Sequence, residues 1–277
     1  MVSVTNMSRN VDSGENRILG AFRQARLTKS AAVMPYFTLG YPDLDQSLDI
    51  VKAIAPHADL LELGVPFSDP IADGPTIQRS TQVALERGAS ASWCLRSVGE
   101  LRKAGIDIPI LLMGYYNPIL AYGETEFVRD SANAGADGFI VPDLPPEESG
   151  QLRESADRFG LVTVYFLAPT SNRPRTKMVA AGAKGFIYLV SVTGVTGARS
   201  SLSQDHSEMI ERIRMQSDVP VGVGFGISTP DQAAEVGRYA DGIIVGSALI
   251  DAVDRSPDKP AAAASFVRSL ELALSLE

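Results

Sequence analysis

Eight short apolar runs, each followed by a longer amphipathic stretch, are the feature that most constrains the fold of this 277-residue chain. The runs are continuous rather than alternating, which is typical of strands buried on both faces of a parallel sheet. They begin near Ala32, Asp59, Ile108, Asp137, Leu161, Gly185, Val219 and Asp241. Helical patterns between them include residues 45–55, 92–103, 124–134, 146–159, 206–216 and 229–239. A strand–helix repeat of this kind predicts an α/β fold.

Eight strand–helix units favour one closed (β/α)8 TIM barrel over residues 18–277. The alternative is an open doubly wound sheet, which often shows a G-x-G-x-x-G turn after its first strand. Here the first strand leads into Leu39-Gly40-Tyr41-Pro42, which does not match. We therefore expect a single-domain barrel with extra helices and a flexible N-terminal extension over residues 1–17. A surface turn is expected over residues 251–264, before a last helix over 264–276.

Composition narrows the classes of function. The net charge of −8 and the low isoelectric point disfavour a nucleic-acid-binding protein, which would normally present a basic patch. The chain has one cysteine, Cys94, so no disulfide can form within it, and a reducing compartment is expected. The N-terminal residues lack the apolar stretch of a signal peptide, and no apolar run is long enough to span a membrane. These observations predict a cytoplasmic protein.

Carboxylates cluster around the second predicted strand, in residues 61–75. Glu62 lies in the apolar run, and Asp69 and Asp73 follow in a loop rich in glycine and proline. A buried acid is costly unless it is used or paired, and two carboxylates in one cleft suit general acid–base catalysis. Alternatively, Glu62 pairs with a structural cation, and Asp73, in an Asp-Gly-Pro sequence, is a turn residue.

Glycines follow the last two predicted strands, as Gly224-Phe225-Gly226 and as Gly246-Ser247. The corresponding loops of (β/α)8 barrels frequently bind phosphate, because glycine lets backbone N–H groups approach an anion and a helix N-terminus adds a positive dipole. The alternative is that these glycines only form tight turns. We expect a phosphate site.

Three tyrosines, Tyr36, Tyr115 and Tyr188, lie at predicted strand ends, where they would suit a flat aromatic ligand or simply fill the core. Metal and cofactor motifs are missing from the sequence. Two histidines and one cysteine make a zinc site improbable, and there is no Gly-Lys-Ser/Thr loop or Gly-x-Ser-x-Gly turn. We therefore expect no metal and no organic cofactor.

Seven segments of the chain resemble the tryptophan synthase alpha chain family. They are residues 35–40, 61–75, 111–118, 141–145, 194–197, 224–228 and 246–248. The resemblance extends over residues 18–275, and segment 61–75 is its most specific part. It implies the (β/α)8 fold and a retro-aldol lyase that cleaves indole-3-glycerol phosphate into indole and glyceraldehyde 3-phosphate.

The resemblance also implies roles for individual residues. Glu62 and Asp73 match the two catalytic carboxylates of the family. Substrate-binding positions match Tyr36, Leu112, Tyr115, Ile140, Tyr188, Thr196, Gly197, Phe225, Gly226, Gly246 and Ser247. Among these, Thr196 would bond Asp73 when the loops close, and the glycines and Ser247 would hold the phosphate.

A partner is implied as well, because the family works with a beta chain that uses pyridoxal phosphate. We expect an αβ or an α2β2 assembly, with α2β2 favoured. Pro66, Asp69 and Asn117 would face that beta chain, and the pyridoxal phosphate would belong to the partner. Two other functions stay open from the residues. One is another phosphate-binding barrel enzyme, such as a phosphosugar isomerase or epimerase, and the other is a non-catalytic chain that only activates a beta partner.

Overall fold

The computed structural model describes residues 13–190, 199–224 and 226–276, with the backbone only over residues 199–205. Eight strands of this described part form a closed barrel in which each strand pairs in parallel with the next and β8 pairs with β1. The strands are β1 Ala32–Thr38, β2 Leu61–Gly64, β3 Ile110–Met113, β4 Gly138–Ile140, β5 Val162–Leu167, β6 Ile187–Val190, β7 Val221–Gly224 and β8 Gly242–Val245. The prediction of a (β/α)8 barrel is confirmed.

Helices surround the barrel and outnumber the strands within the described residues, as the prediction of extra helices requires. They are α1 Gly14–Thr28, α2 Leu44–Ile54, α3 Pro75–Glu86, α4 Ala91–Lys103, α5 Tyr116–Tyr122, α6 Glu124–Ala134, α7 Gly150–Arg158, α8 Arg173–Gly182, α9 Arg199–Arg214, α10 Pro230–Val236, α11 Ser247–Asp254 and α12 Lys259–Leu274. Several begin at a side chain that accepts a backbone N–H, which satisfies a donor of the first turn. These N-caps are Ser13, Asp43, Ser90, Asn172, Thr229 and Asp258.

Strand residues alternate between two apolar layers, because successive side chains of a strand point to opposite faces. One set packs inside the barrel and includes Met34, Leu111 and Phe186. The other set packs against the helices and includes Phe37, Leu63 and Leu112. Helix α1 closes the N-terminal end of the barrel, since its Ile18, Phe22 and Ala25 belong to the inner cluster. Only the C-terminal end is therefore left for a site.

Three aspartates at the N-terminal ends of strands tie the barrel together in the same way. Asp59, Asp137 and Asp241 each accept the backbone N–H of the neighbouring strand, at 2.8 Å in every case. Each also pairs with one or two cations, which are Lys29, Arg17 with Arg102, and Arg26 with Arg214. Because these carboxylates bond both the backbone and a cation, they are structural acids, and all three lie at the end away from the open mouth.

The Asp137 cluster should matter most for stability. Its carboxyl is 4% exposed and accepts from Arg17 Nε at 2.6 Å and from Arg102 Nη2 at 2.7 Å. Replacing Asp137 with Asn leaves two guanidinium groups without their anion, and breaking such a buried pair costs about 3 kcal/mol. We expect a clear fall in the free energy of unfolding measured with urea. The control Asp157→Asn removes the exposed pair with Lys184 and should change little.

The structure corrects three predicted boundaries. The predicted extension over residues 1–17 is too long, because α1 begins at Gly14 and Arg17 pairs with Asp137; residues 1–12 lie outside the described part. The predicted turn over residues 251–264 is wrong, since α11 and α12 occupy most of it. The helix predicted from residue 146 begins at Gly150 instead. In the last two cases the prolines explain the error, because proline is tolerated in the first turn of a helix and does not by itself mark a turn or a helix start.

Candidate active site

A cavity of about 840 Å³ opens at the C-terminal end of the barrel, where the strands end and the loops begin. Its lining combines aromatic and aliphatic side chains with glycine-rich loops. The lining residues include Tyr36, Asp73, Met113, Pro142, Phe166, Tyr188, Gly224, Gly226, Ser228, Ile244, Gly246, Ser247 and Asp251. A large, mostly apolar hollow with a few polar groups is the usual form of a small-molecule site.

Glu62 lies on β2, between Leu61 and Leu63, which both pack toward the helices. Alternation along the strand therefore points its side chain into the barrel, beside Tyr36, its partner in the β1–β2 register. Glu62 is fully buried and is not itself a lining residue of the cavity, but its register partner Tyr36 is one. Neither of its carboxyl oxygens has a hydrogen-bond partner among the described residues. Burial raises the pKa of Glu62 well above its ordinary value.

An unpaired buried carboxyl contradicts the structural alternative for Glu62, because a stabilising acid would have a cation or a donor beside it. The contrast is with Asp59, Asp137 and Asp241 at the other end of the barrel, which are all ion-paired. With its raised pKa, Glu62 holds a proton that a ligand could take. Burying the Glu62 carboxyl costs free energy that no hydrogen bond among the described residues offsets, which is typical of a functional residue.

Asp73 lines the cavity from the loop that precedes α3. The Tyr115 hydroxyl donates to Asp73 Oδ2 at 3.0 Å and accepts the backbone N–H of Ala72 at 2.9 Å. Burial raises the pKa of the Asp73 carboxyl to about 6, although the hydrogen bond from Tyr115 lowers it. Asp73 does not cap α3, since Gly74 is the N-cap and has no side-chain bond. The carboxyl is therefore held in place but keeps one oxygen available to a ligand.

The two carboxyls act on the same aromatic rings. Burial, followed by the charges of Asp73 and Glu62, raises the pKa of Tyr36. The same causes raise the pKa of Tyr188, on the opposite side of the barrel. Tyr36 is the register partner of Glu62 and lines the cavity together with Asp73, so Glu62 and Asp73 lie around one space rather than in separate regions. The structure therefore brings together the two acids that the sequence singled out.

Tyr36 and Tyr188 form opposite walls of the cavity. A Cβ placed on Gly64 would lie 2.2 Å from the Tyr36 hydroxyl, and one on Gly224 would lie 2.4 Å from the Tyr188 hydroxyl. Each ring therefore lies directly against a glycine of the next strand. Phe166 packs on Tyr188 with ring centroids 4.8 Å apart, so this wall is doubly aromatic. The tyrosines are thus wall residues and not only core filling.

The prediction that Leu112 of β3 lies at the substrate was wrong by one residue. Leu112 packs toward the helices and, with Tyr115, lines a separate cavity of about 10 Å³. Met113 lines the main cavity in its place, with Ile140 beside it in the inner cluster. The Tyr115 hydroxyl holds Asp73, and the contact of its ring with a ligand stays a prediction. Phe166 was missed, although its spacing from Val164 places both on the inner face.

The glycine loops after β7 and β8 line the same cavity as the Asp73 loop. Gly226 has φ +59°, a left-handed conformation that strains any residue with a side chain. Gly246 is the N-cap of α11, and Ser247 is its exposed first residue. The first N–H groups of a helix have no partner within it, so this part of the cavity can bind an anion. Thr196, Gly197 and Phe225 lie outside the described residues.

Of the residues predicted to face a partner, two are exposed. Asp69 and Asn117 reach the surface, but Pro66 is buried within the chain, so the prediction of a surface role for Pro66 is not supported. Within the described residues, no group of three His, Cys, Asp or Glu side chains could hold a metal ion. No described helix has the length and apolar character needed to cross a membrane.

Comparison with known proteins gives consistent matches. The family model described as tryptophan synthase alpha chain matches residues 22–274. The tryptophan synthase alpha chain of Chloroflexus aggregans is 47% identical over 258 residues, covering 92% of this chain and 97% of its own. A tryptophan synthase structure from Mycobacterium tuberculosis matches with a TM-score of 0.86 and 37% identity, covering 94% of this chain and 99% of that one. An Aquifex aeolicus chain gives a TM-score of 0.86 at 41% identity, over 93% and 98%.

Proposed function

Because the chain belongs to the tryptophan synthase alpha chain family, we propose that Glu62 and Asp73 are the two groups that carry out its chemistry. The chain is a carbon–carbon lyase, which cleaves indole-3-glycerol phosphate into indole and glyceraldehyde 3-phosphate. One observation supports the assignment above the others. A buried acid without a hydrogen-bond partner among the described residues and a second acid held by Tyr115 lie around one cavity that glycine loops also line.

The cavity suits the two ends of this substrate. The indole ring would lie between Tyr36 and the Tyr188–Phe166 pair, with Met113 and Ile140 on the side of β3 and β4. Flat rings on both sides favour a flat heteroaromatic ligand. The phosphate would lie on the loops after β7 and β8, where Gly226, Gly246 and Ser247 offer backbone N–H groups and a hydroxyl. For Thr196, Gly197 and Phe225, the family roles in phosphate and ring binding stay proposals.

The first chemical step is protonation of the ring. Indole leaves poorly as a carbanion, so C3 must gain a proton before the C3–C3′ bond can break. Glu62, kept neutral by burial, is the proposed donor. The ring then becomes a cationic indolenine. Asp73, as a carboxylate, would accept the indole N–H and stabilise the positive charge that develops on it.

Bond cleavage follows when the Glu62 carboxylate removes the proton of the C3′ hydroxyl. The C3′ oxygen forms a carbonyl, the C3–C3′ bond breaks, and its electron pair returns to the ring as neutral indole. Glu62 ends the cycle protonated, so the reaction has no net proton change. No metal or organic cofactor of this chain takes part in these steps, and we propose that none is bound.

The proposed charge state of Asp73 predicts a pH dependence. Burial raises the pKa of this carboxyl from 3.8 to about 6, so it is ionised at pH 7 and becomes neutral below pH 6. We expect kcat/KM to fall about tenfold for each pH unit below that value, because only the carboxylate stabilises the cationic ring. Steady-state kinetics between pH 5 and 8 would show this acidic limb. Asp73→Asn should lack it, and an unchanged limb in that variant would contradict the assignment.

The alpha chain pairs with a tryptophan synthase beta chain, and we propose an α2β2 assembly in which only the beta chain holds pyridoxal phosphate. Exposed groups near the cavity support a protein contact on this side. Asp69 and Ile71 lie on the loop that carries Asp73, and Asn117 and Leu120 lie on α5. Ile71 is 83% exposed and Leu120 is 51% exposed, which is unusual for large apolar side chains. We also propose a cytoplasmic location, since the chain has a single, buried cysteine.

The test of the function is an assay of indole release from indole-3-glycerol phosphate by the purified chain, alone and with a beta chain. We expect indole and glyceraldehyde 3-phosphate in equal amounts, with faster release when the beta chain is present. A chain that stimulates the beta reaction but forms no indole would instead be a non-catalytic activator. A chain inactive on this substrate but active on a phosphosugar would be an isomerase or epimerase.

A further inference from the structure

The position of Asp73 depends on α3, which begins two residues after it. Gly74 is the N-cap of that helix, and Gln78 Nε2, in its first turns, donates to the Asp73 carbonyl oxygen at 2.8 Å. The backbone of Asp73 is therefore attached to the end of α3, while Tyr115 holds its carboxyl. A shift of α3 would move this backbone relative to Tyr115 and so change the distance between the carboxylate and the ligand.

Ion pairs join α3 to α11, the helix whose first residue, Ser247, lies at the proposed phosphate end. Arg79 Nη2 lies 2.5 Å from Asp254 Oδ2 and 3.8 Å from Asp251 Oδ1. Among the ion pairs of the described residues, these two are the ones that link the two helices. Thr76 adds a weaker contact, since its hydroxyl lies 3.5 Å from Asp251 Oδ1. The Tyr41 hydroxyl donates to Asp254 and so holds that carboxylate toward Arg79.

The other attachment of α3 is to the barrel itself. Ser80, the residue after Arg79, is buried, and its hydroxyl lies 2.7 Å from the Thr38 hydroxyl at the end of β1. Ser80 fixes the inner face of α3 together with Thr81 and Ala84, which are also buried. Arg79 contacts α11 away from this buried face, so the two attachments together define the orientation of α3. Helix α11 has its own anchor, since Leu249, Ile250 and Val253 are buried in the outer core.

We propose that Arg79 is a positioning residue: its ion pairs with Asp254 and Asp251 hold α3 at the angle that presents Asp73 to the indole ring of a substrate whose phosphate is held by α11. This inference rests on the proposed role of Asp73. It adds a residue that does not touch the substrate and that sequence motifs did not single out. In this proposal, the end of α3 contacts the indole end of the ligand and α11 binds its phosphate. The ion pairs of Arg79 therefore determine the distance between the Asp73 carboxylate and the phosphate.

The expected effect is on rate rather than on stability. Arg79 is 52% exposed and Asp254 is 23% exposed, and an ion pair that solvent reaches contributes little to folding. A catalytic group displaced by about 1 Å, in contrast, can lower the rate by a factor of up to about 100. We expect Arg79→Gln to lower kcat about tenfold, with little change in KM, because the phosphate site on α11 keeps its own anchor. The thermal unfolding midpoint should stay close to that of the unchanged chain.

The experiment is a double-mutant cycle on kcat for indole release, using the full chain with its beta chain. The variants are Arg79→Gln, Asp73→Asn and the combination of both. If Arg79 acts through Asp73, the loss caused by Arg79→Gln should largely disappear when Asp73 is already Asn. If the double variant loses kcat by the product of the two single losses, the proposal is overturned, because a general structural defect would lower kcat whether residue 73 is Asp or Asn.

Two further variants distinguish the effect of losing the ion pair from the general effect of removing an arginine from α3. Arg79→Lys keeps the positive charge and should recover most of the rate; a variant as slow as Arg79→Gln would contradict the ion pair as the cause. Arg87→Gln removes an exposed arginine at the C-cap of the same helix and should leave kcat unchanged. If Arg79→Gln matches this control while Asp73→Asn is strongly impaired, the positioning role fails and the proposed function stands. If Asp73→Asn itself is near normal, the proposed function fails, and this inference fails with it.

Discussion

Glu62→Gln should lower kcat for indole release by about 10⁴, at the upper end of what one general acid–base group contributes. The amide has nearly the shape of the acid but cannot give a proton to C3 or remove one from the C3′ hydroxyl. Substrate binding should persist, because the phosphate loops and the aromatic walls are untouched. The measurements are single-turnover indole formation and, separately, the dissociation constant for indole-3-glycerol phosphate.

The same substitution should raise stability, which separates function from folding. In the folded chain the pKa of Glu62 is raised well above its unfolded value. Below the unfolded pKa, Glu62 is protonated in both states, and the stability of the folded chain is not reduced. As pH rises from the unfolded pKa toward the folded pKa, the unfolded chain releases this proton first, so the free energy of unfolding falls. A neutral amide avoids that loss, so the free energy of unfolding of Glu62→Gln should exceed that of the unchanged chain at alkaline pH.

A matched control for Glu62 is available in Glu124, another buried glutamate, which accepts a hydrogen bond from Tyr116. Glu124→Gln keeps an oxygen that can accept this bond and should retain kcat. If Glu62→Gln keeps more than about a tenth of the normal rate, Glu62 is not the proton shuttle, since general acid–base groups contribute about 10²-fold or more.

Asp73→Asn should be the second most damaging change, with kcat lower by about 10². Asparagine still offers an oxygen to the indole N–H, so the loss measures the negative charge opposite the cationic ring rather than the hydrogen bond. The effect should appear in kcat more than in KM, because the charge it stabilises develops only after C3 is protonated. Steady-state kinetics at pH 8, where Asp73 is ionised, would give both constants.

The control for Asp73 is Asp107→Asn, which changes an exposed loop aspartate that precedes β3, at the N-terminal end of the barrel. Its kcat should equal that of the unchanged chain. Were Asp73→Asn to behave like this control, Asp73 would be a turn residue, as the Asp-Gly-Pro sequence allows. Equal effects on kcat and on unfolding would point to a displaced α3 instead.

The barrel could be predicted from the sequence because eight continuous apolar runs separated by helical patterns fit few other folds. The two acids could be found for a related reason. Glu62 is a carboxylate in an apolar strand, and Asp73 follows it within one short loop. In a barrel the loops after parallel strands meet at one end, so both acids must lie near the same opening.

The details of the cavity wall were harder to predict. The choice between Leu112 and Met113 depends on which face of β3 turns inward, and a continuous apolar run gives no alternation to decide it. The register with β2 decides it in the structure, since Met113 is the partner of Gly64 in the last layer. The bond between Tyr115 and Asp73 could not be predicted either, because it depends on how the loop after β2 folds over β3.

Contacts between helices could not be predicted from the sequence. Arg79 and Asp254 are separated by more than half the chain, and both are ordinary helix surface residues in the sequence pattern. Nothing local distinguishes Arg79 from Arg87, which lies on the same helix. Only the packing of α3 on α11 shows that the two arginines differ.

The crystal structure of Glu62→Gln with indole-3-glycerol phosphate bound would test the two-carboxylate site most directly, because this variant should bind the substrate without cleaving it. We expect the side chain at position 62 within hydrogen-bond reach of the C3′ hydroxyl, the Asp73 carboxylate on the indole nitrogen and the phosphate on the loops after β7 and β8. A substrate bound with its indole ring away from both side chains would contradict the assignment.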